Sequence, residues 1–428
     1  MFKKIKSAKR RHKIIVGVVI TILVILIVGA AVFYAKGISF LKTISREEPE
    51  DDVYIMSVYV MNETGIGKLE EIKEGSYGVA DGVDTDNMNL ILKELKSFFG
   101  PLDIKKYDSV NAAADALYKG DCKAMILNES FLPTLEETHP DFGEVAHKVW
   151  SLDVPKDYDF TKSDKDVTKE SFNILLSGVD SRGDLSDKSL SDVNMIVTVN
   201  PLTNTILLTS IPRDSYVELA SHKGKKDKLA HTGIMGIDET QKTIEKLTGV
   251  KIDYYVKVNF AALVYVVDAM GGIDVESDRE FVPWTNRSLV IKKGVNHMDG
   301  VTALAYARER YAYPDGDLHR AQNQRQILRA LAWKVMSPKI ITSYDKLLEA
   351  LSKGMETNMS DKDIIRLFKM QIAKMQEWDI QGAQISGRNS KAKEFYTMGK
   401  KTLDVVIVDQ KSIDEAVDRI NKISEGVK

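Results

Sequence analysis

Four short segments of this 428-residue chain hold most of the residues that could do chemistry. GVDSR supplies Asp180 and Arg182, LSDVN supplies Asp192, and SIPRD supplies Arg213 and Asp214. A longer stretch, ALAYARERYAYPDGDLHRAQNQRQIL, adds Arg308, Arg310, Asp315, Asp317, Arg320, Gln324 and Arg325. A guanidinium is planar, stays charged at any working pH, and meets a phosphate through two parallel N–H bonds. Carboxylates together with phosphate oxygens suit a hard divalent cation such as Mg²⁺. Several arginines beside acids therefore form a self-consistent set for stabilising the charge spread over a transferring phosphoryl group. Other chemistries fit less well. Cys122 is the lone cysteine and the seven histidines are scattered without an HExxH pair, so no thiolate or histidine metal cluster is expected. No G-x-x-x-x-G-K-[ST] loop or G-x-S-x-G elbow occurs.

Each segment also has a plain structural reading. Asp180 could cap a turn, and Arg213 with Asp214 could be a surface ion pair. Arg308 and Arg310 alternate with Ala307 and Glu309, so in an extended segment they share one face. Arg320 and Gln324 are four apart, on one side of a helix. His231 reads as structural, Cys122 as inert core beside Ala124, Met125 and Ile126, and Met270-Gly271-Gly272 as a turn.

The elements that must position these residues follow from periodicity. The second half opens with a buried strand, FNILLSGV, that delivers Asp180 to its C-terminal end. Strands at Asn194–Asn200 and Thr205–Ile211, joined by PLTN, predict a hairpin. Helices are expected over Gly236–Thr248, over Phe260–Met270, which is apolar nearly all round and so buried, and from about Leu318 to Met336. Ahead of this unit, Val53–Val154 alternates strand and helix and predicts a small α/β domain with parallel pairings.

Charge organises the remainder. Met1 to Lys13 holds seven Lys/Arg and no acid, leaving 53 basic against 62 acidic residues beyond it. An acidic body is a poor nucleic-acid binder, and no nucleic acid is expected as a partner. The uncharged run Ile14–Ala35 is long enough to span a bilayer, with the basic tail inside and the body outside. The expected order is a tail at 1–13, a transmembrane helix at 14–35 and a linker at 36–52. An α/β accessory domain at 53–154, a linker at 155–170, an α/β catalytic domain with a mixed sheet flanked by helices at 171–340, and a packed C-terminal part at 341–428 follow.

These segments, in this order behind a membrane anchor, resemble the LytR-CpsA-Psr family of cell-wall glycopolymer ligases. The likeness is close over Phe172–Trp333, and the preceding α/β unit is similar to an accessory domain that some members carry. It implies a metal-dependent phosphotransferase, with room for a pyrophosphatase side activity, in the envelope of a Gram-positive-type bacterium. A teichoic acid-like or capsular glycopolymer would pass from a polyprenyl-pyrophosphate carrier to a peptidoglycan hydroxyl. On this resemblance Asp180 and Asp192 match the ligands of Mg²⁺ or Mn²⁺. Arg213, Arg308 and Arg310, with Asp192, match the catalytic set, and Arg182, Arg213, Arg308, Arg310, Arg320 and Gln324 would contact pyrophosphate. The lipid calls for an elongated apolar cavity, with Leu263 and Leu331 on its walls. Members commonly place an arginine two residues before the second acid; here that residue is Leu190, with Lys188 and Arg182 nearby. A non-catalytic binder or regulator of lipid-linked pyrophosphate, and a DNA-binding attenuator, are the rival readings.

Overall fold

A computed structural model describes residues 53–155, 163–179, 189–314, 316–336, 346–347, 349–351, 354–374 and 377–427. The expected transmembrane helix, the basic tail, the first linker, residues 156–162 of the second, Asp180, Arg182, Lys188 and Asp315 lie outside them. Among the described residues no helix is long and apolar enough to cross a membrane.

The first unit comprises β1 (Val53–Met61), β2 (Ser76–Ala80), α1 (Thr85–Phe99), β3 (Asp103–Tyr107), α2 (Val110–Tyr118), β4 (Ala124–Asn128), α3 (Leu132–Glu136), α4 (Phe142–Val145) and β5 (Ala146–Pro155). Its sheet order is β3-β2-β4-β1-β5. The pairings β2–β3 and β2–β4 are parallel, as the alternation of strand and helix predicts, but β1 pairs antiparallel with both β4 and β5, so the sheet is mixed. The two crossovers leave β3 and β4 on opposite sides of β2, which puts α1 on one face and α2 on the other. Alternation along β1 follows suit. Val58 and Val60 pack with Ile91 and Leu95 of α1, whereas Tyr59 and Met61 pack with Ala113 and Leu117 of α2. Cys122 is buried on the α2 face, where burial pushes its thiol up, in keeping with an inert core residue.

The second unit begins with β6 (Phe172–Val179), β7 (Ser191–Asn200), β8 (Thr205–Ile211), β9 (Tyr216–Glu218), β10 (Lys226–Lys228), α5 (Thr232–Met235) and α6 (Ile237–Thr248). It continues with β11 (Tyr254–Asn259), α7 (Phe260–Ala269), β12 (Ile273–Ser277), β13 (Gly294–Met298), α8 (Gly300–Arg308) and α9 (Asp317–Met336). Last come β14 (Met355–Thr357), α10 (Asp361–Lys374), β15 (Asp379–Gln384), β16 (Gly387–Ala392), β17 (Leu403–Val408) and α11 (Gln410–Glu425). The main sheet runs β14-β11-β6-β7-β8-β15. The expected β7–β8 hairpin forms, with Asn200 opposite Thr205. One sheet face carries Leu175, Ile196 and Leu207 under Ile244 of α6 and Ile413, Ile420 and Ile423 of α11. Each buried isoleucine there contributes about 1.5–3 kcal/mol. The opposite face carries Met195, Leu208 and Ile380 under Leu328 and Ala332 of α9.

Two expectations change. The residues after 340 supply both edge strands, β14 and β15, so the C-terminal part completes the sheet as well as packing on it. Helix α7 buries Ala262, Val266 and Val267, but Tyr265 is 48% exposed. An all-round apolar sequence cannot show which sides meet α8 and the segment with Leu347 and Ala350 and which side is left open.

The two units share a core. Leu190, Leu219, Ile234, Met235 and Tyr396 of the second pack with Phe131, Leu132 and Leu135 of the first. Tyr54 donates to the Met235 carbonyl at 3.1 Å, the Asp84 N–H donates to the Tyr396 hydroxyl at 3.0 Å, and Asn111 donates to the Met398 carbonyl at 3.2 Å. Gly233 of α5 lies so close to the start of β7 that a Cβ there would stand 2.6 Å from both the Ser189 carbonyl and the Ser191 N–H. Gly233→Ala is accordingly expected to destabilise by about 1–3 kcal/mol, as overpacking does. Gly143→Ala, where the space is open, should leave thermal unfolding unchanged.

Candidate functional site

The hairpin register builds the centre of the site. Asn194 pairs with Ile211, and two further steps outward bring Asp192 beside Arg213. Arg213 Nη1 donates to Asp192 Oδ1 there. Arg213 Nε lies 3.9 Å from Asp214 Oδ1 and is buried without a hydrogen-bond partner among the described residues. Such a buried donor is costly to leave unmade. Asp214 is held from the other side by Lys228 Nζ, 2.8 Å away on β10.

Helix α9 closes the cluster. Its first residue, Asp317, faces Arg320 Nη2 at 3.1 Å and Arg310 Nη1 at 3.9 Å. Burial raises the Asp317 carboxyl above the ordinary range and outweighs the pull of Arg320, and hydrogen bonding to Asp214 adds to the rise. Burial would also raise Asp214, but the Lys228 hydrogen bond and charge, with Arg213, hold it below the ordinary range. The two carboxyls thus divide their roles, Asp317 retaining a proton more readily than Asp214. Arg320 is lowered, first by burial and then by the Arg213 charge, against the pull of Asp317 and Asp192. Burial opposes the charged form of Arg213 as well, yet Asp192, Asp214, Asp317 and Glu137 of the first unit hold it net raised.

Among the described residues the cluster gathers four of those expected here. Asp192, Arg213, Arg310 and Arg320 converge. Arg308 and Arg310 do not share a face of an extended segment, because Arg308 is the last residue of α8 and Arg310 lies beyond it. Glu309 between them is 1% exposed. Its carboxylate accepts the N–H groups of Tyr311 at 2.7 Å, Ala312 at 2.9 Å and Trp284 at 2.6 Å. That buried carboxylate turns the chain and leaves Arg308 over the Phe260 ring, 5.2 Å from its centroid, and Arg310 over the Tyr311 ring. Gln324 Nε2 donates to the Ala307 carbonyl at 3.4 Å, steadying the end of α8. Leu263 and Leu331 meet in one apolar cluster with Val267, Ala303 and Ile327. His231 is buried on Asp227, 2.6 Å from Nδ1 to Oδ1, and Asp227 also accepts the Thr397 N–H and hydroxyl, so the histidine is structural.

Sequence reasoning named Asp214, as an ion-pair partner of Arg213, and Asp317 without placing either in the site, and gave Lys228 and Glu309 no role. SIPRD and the DGDLHR run flag the two aspartates, but the pairing of Asp214 with Asp317 joins parts of the chain 103 residues apart. Leu190, which stands where an arginine was expected, packs into the core shared with the accessory unit.

Comparison with known proteins follows this geometry. Residues 146–420 match the model of the LytR_cpsA_psr family, so residues 53–145 of the accessory unit lie outside the match. The polyisoprenyl-teichoic acid–peptidoglycan teichoic acid transferase TagU of Bacillus cereus is 36% identical over 253 residues, 59% of this chain and 77% of TagU. TagT of Bacillus subtilis, of the same designation, is 38% identical over 211 residues, 47% of this chain and 65% of TagT. Among solved structures, TagT bound to LI-WTA superposes with a TM-score of 0.50 at 28% identity, covering 64% of this chain and 98% of that one. Bacillus subtilis TagV gives 0.51 at 30% identity, covering 60% and 98%.

Two outcomes follow from the geometry. Asp214 is depressed in the fold, so the stability it contributes is present above the unfolded carboxylate range and lost as pH falls through its folded value. Lys228→Met should cost about 1.5–3 kcal/mol at neutral pH. That deficit should shrink as pH falls below the ordinary carboxylate range and through the depressed folded value of Asp214, as read from denaturant unfolding across pH. Leu190→Arg places a charge in the shared core and should lower the melting temperature and open the accessory unit to limited proteolysis.

Proposed function

Because the chain belongs to the LytR_cpsA_psr family, we propose that it is a glycopolymer transferase, anchored in the cell membrane by Ile14–Ala35 with its body outside. The donor is a polyprenyl-pyrophosphate-linked glycopolymer and the acceptor is peptidoglycan. The observation that carries this reading is the convergence of Arg213, Arg310 and Arg320 with Asp192, Asp214 and Asp317, where Arg213 keeps one buried donor unused. The TagU and TagT designations support it.

In the reaction the acceptor hydroxyl oxygen attacks the phosphorus that bears the glycan. The bond from that phosphorus to the bridging oxygen breaks, and polyprenyl phosphate leaves with the electron pair. Arg213, Arg310 and Arg320 bind the nonbridging oxygens and offset the charge that spreads over them. The ionised member of the Asp214–Asp317 pair takes the hydroxyl proton. Leu263 and Leu331, partly buried on the core cluster of α7, α8 and α9, would border the apolar region that takes the lipid.

Asp192 is a hard, part-buried carboxylate among phosphate-binding arginines, a donor type that fits Mg²⁺ or Mn²⁺. Among the described residues no group of three or more His, Cys, Asp or Glu could hold a metal, so Asp192 and Asp180 would share the ion with substrate phosphate and water. The ion would supply charge neutralisation at the pyrophosphate. The rival reading as a mere binder draws on Leu190, and its packing against the accessory unit gives the leucine a different reason to be there.

The test is incubation of the purified chain with a polyprenyl-pyrophosphate sugar and Mg²⁺, with and without peptidoglycan, followed by mass analysis. Arg320→Lys and Arg310→Lys keep the charge but lose the fork, and turnover should fall about 10²-fold or more. Gln324→Ala, which loses one neutral bond to a carbonyl, should do least. Asp192→Ala should require far more Mg²⁺ or fail. Full turnover of Asp192→Ala without metal would contradict the mechanism.

A further inference from the structure

A cleft of about 520 Å³ lies between the two units, and the site described above does not use it. The accessory unit lines one side with Asp81, Gly82, Val83 and Asp108, residues that follow the C-terminal ends of β2 and β3. Loops at the C-terminal ends of parallel strands are where open α/β sheets receive ligands. The opposite side is the β9–β10 ribbon, with Tyr216, Lys223, Lys225 and Lys226, and the segment around Phe395.

The ribbon connects this cleft to the reacting centre. Residues 217 and 227 are buried, so Tyr216, Lys226 and Lys228 all lie on its outward face. Tyr216 sits directly opposite Lys228 in the register. Lys228 holds Asp214 of the charged cluster, while Tyr216 lines the cleft. Cross-strand neighbours of this kind are about 5 Å apart, so the cleft begins one residue pair from the phosphate-binding groups. The Tyr216 ring is fixed by its hydroxyl, which donates to the Glu394 carbonyl at 2.6 Å, and lies edge-on to Phe395.

Charge sets the ligand class. Asp81 is ion-paired with Lys106 at 2.9 Å and Asp108 with Lys400 at 3.3 Å. Glu394 is the third carboxylate of the lining. Against these, Lys223 and Lys225 have no ion-pair partner among the described residues. Lys226 faces Glu218 across the ribbon, 5.7 Å over the Tyr216 ring, and Glu218 is held by Lys246 at 3.0 Å. The ribbon side therefore offers three ammonium groups beside a fixed aromatic ring, which suits a sugar chain bearing anionic groups. We propose that this interdomain cleft binds an anionic glycan strand that continues from the phosphate centre, with the accessory unit as its outer wall. The proposal rests on the transferase reading for what happens at the centre, and it deepens that reading by giving the accessory unit a substrate to hold. The anionic groups are either phosphodiesters of the donor polymer or carboxylates of the peptidoglycan acceptor.

The experiment uses the full chain in detergent and the variant Lys223→Glu/Lys225→Glu/Lys226→Glu. All three side chains are exposed, so the fold should survive, which circular dichroism and thermal unfolding check. One probe is a labelled poly(glycerol phosphate) oligomer. The other is sacculi stripped of phosphodiester polymers, in a co-sedimentation assay. In parallel, release of polyprenyl phosphate is measured from a donor carrying a single sugar, too short to enter the cleft. The expected result is about a tenfold loss of affinity for one probe, with cleavage of the short donor within twofold of the wild type. The probe affected identifies which strand the cleft holds. Affinities within twofold of the wild type for both probes would overturn the proposal, whatever happens to cleavage. Lost glycan affinity together with a wild type that never cleaves the donor would support the cleft and sink the transferase reading instead.

Discussion

The constraint on which the rest of this structure depends is the confinement of Arg213 and Arg320 in one partly desolvated space. Each guanidinium loses hydration there, and each repels the other; the Arg213 charge lowers Arg320 beyond what burial does. Two cations in such a place are tolerable only where carboxylates are held against them, because an unpaired buried charge costs several kcal/mol. Asp192, Asp214 and Asp317 serve that purpose from three different elements. Asp214 is also tied to Lys228, outside the pair of arginines, and Asp317 is carried by the first turn of α9. In the proposed reaction a phosphate entering such a site would meet donors already oriented, so little reorganisation would accompany its binding.

Keeping three elements in register requires rigid supports, and the packing supplies them. The β7–β8 hairpin sits in the middle of the main sheet with strands on both sides, so neither Asp192 nor Arg213 hangs from a free edge. The ribbon that carries Lys228 is fastened by a fully buried group, Asp227 with His231 and Thr397, which joins β10 to the segment between β16 and β17. Buried polar groups this completely satisfied specify one arrangement of the elements they join. The accessory unit then abuts the beginning of β7 through Leu190, two residues before Asp192. Its contact with the catalytic unit is part of what locates the acid.

Much of this was legible in the sequence, for reasons that differ by residue. The hairpin could be read because alternation and a PLTN turn are local signals, and α9 because its boundary residues and length are local too. The ARER run misled for the same reason. Alternating charge implies a strand face, but Glu309 is buried and collects three backbone N–H groups, which ends a helix and turns the chain. No local pattern announces that a glutamate will do this. Helix α7 was expected to be enclosed because composition reports apolarity without direction, and only the positions of its neighbours, α8 and the segment with Leu347 and Ala350 among them, decide which sides are covered. The Asp214–Asp317 pair and the role of Leu190 were out of reach, since each depends on contacts between distant parts of the chain.

The leucine also bears on how a site and an appended domain come to depend on each other. In the proposed reaction an arginine two residues before Asp192 would add a further phosphate donor, but here that position holds a partly buried leucine packed on the apolar core the two units share. A charged group there would be partly stripped of water against an apolar surface. Docking the accessory unit here and keeping an arginine here are therefore competing uses of one residue. In the proposed reaction Arg213, Arg310 and Arg320 would then supply the guanidinium donors, and the buried Nε of Arg213 has no hydrogen-bond partner among the described residues. In exchange the accessory unit gains a fixed attachment beside the phosphate centre, and the Tyr216–Lys228 rung next to it becomes the boundary between the reacting groups and the cleft. A domain attached at that boundary can influence which strand reaches the phosphorus without contributing any group to the chemistry itself.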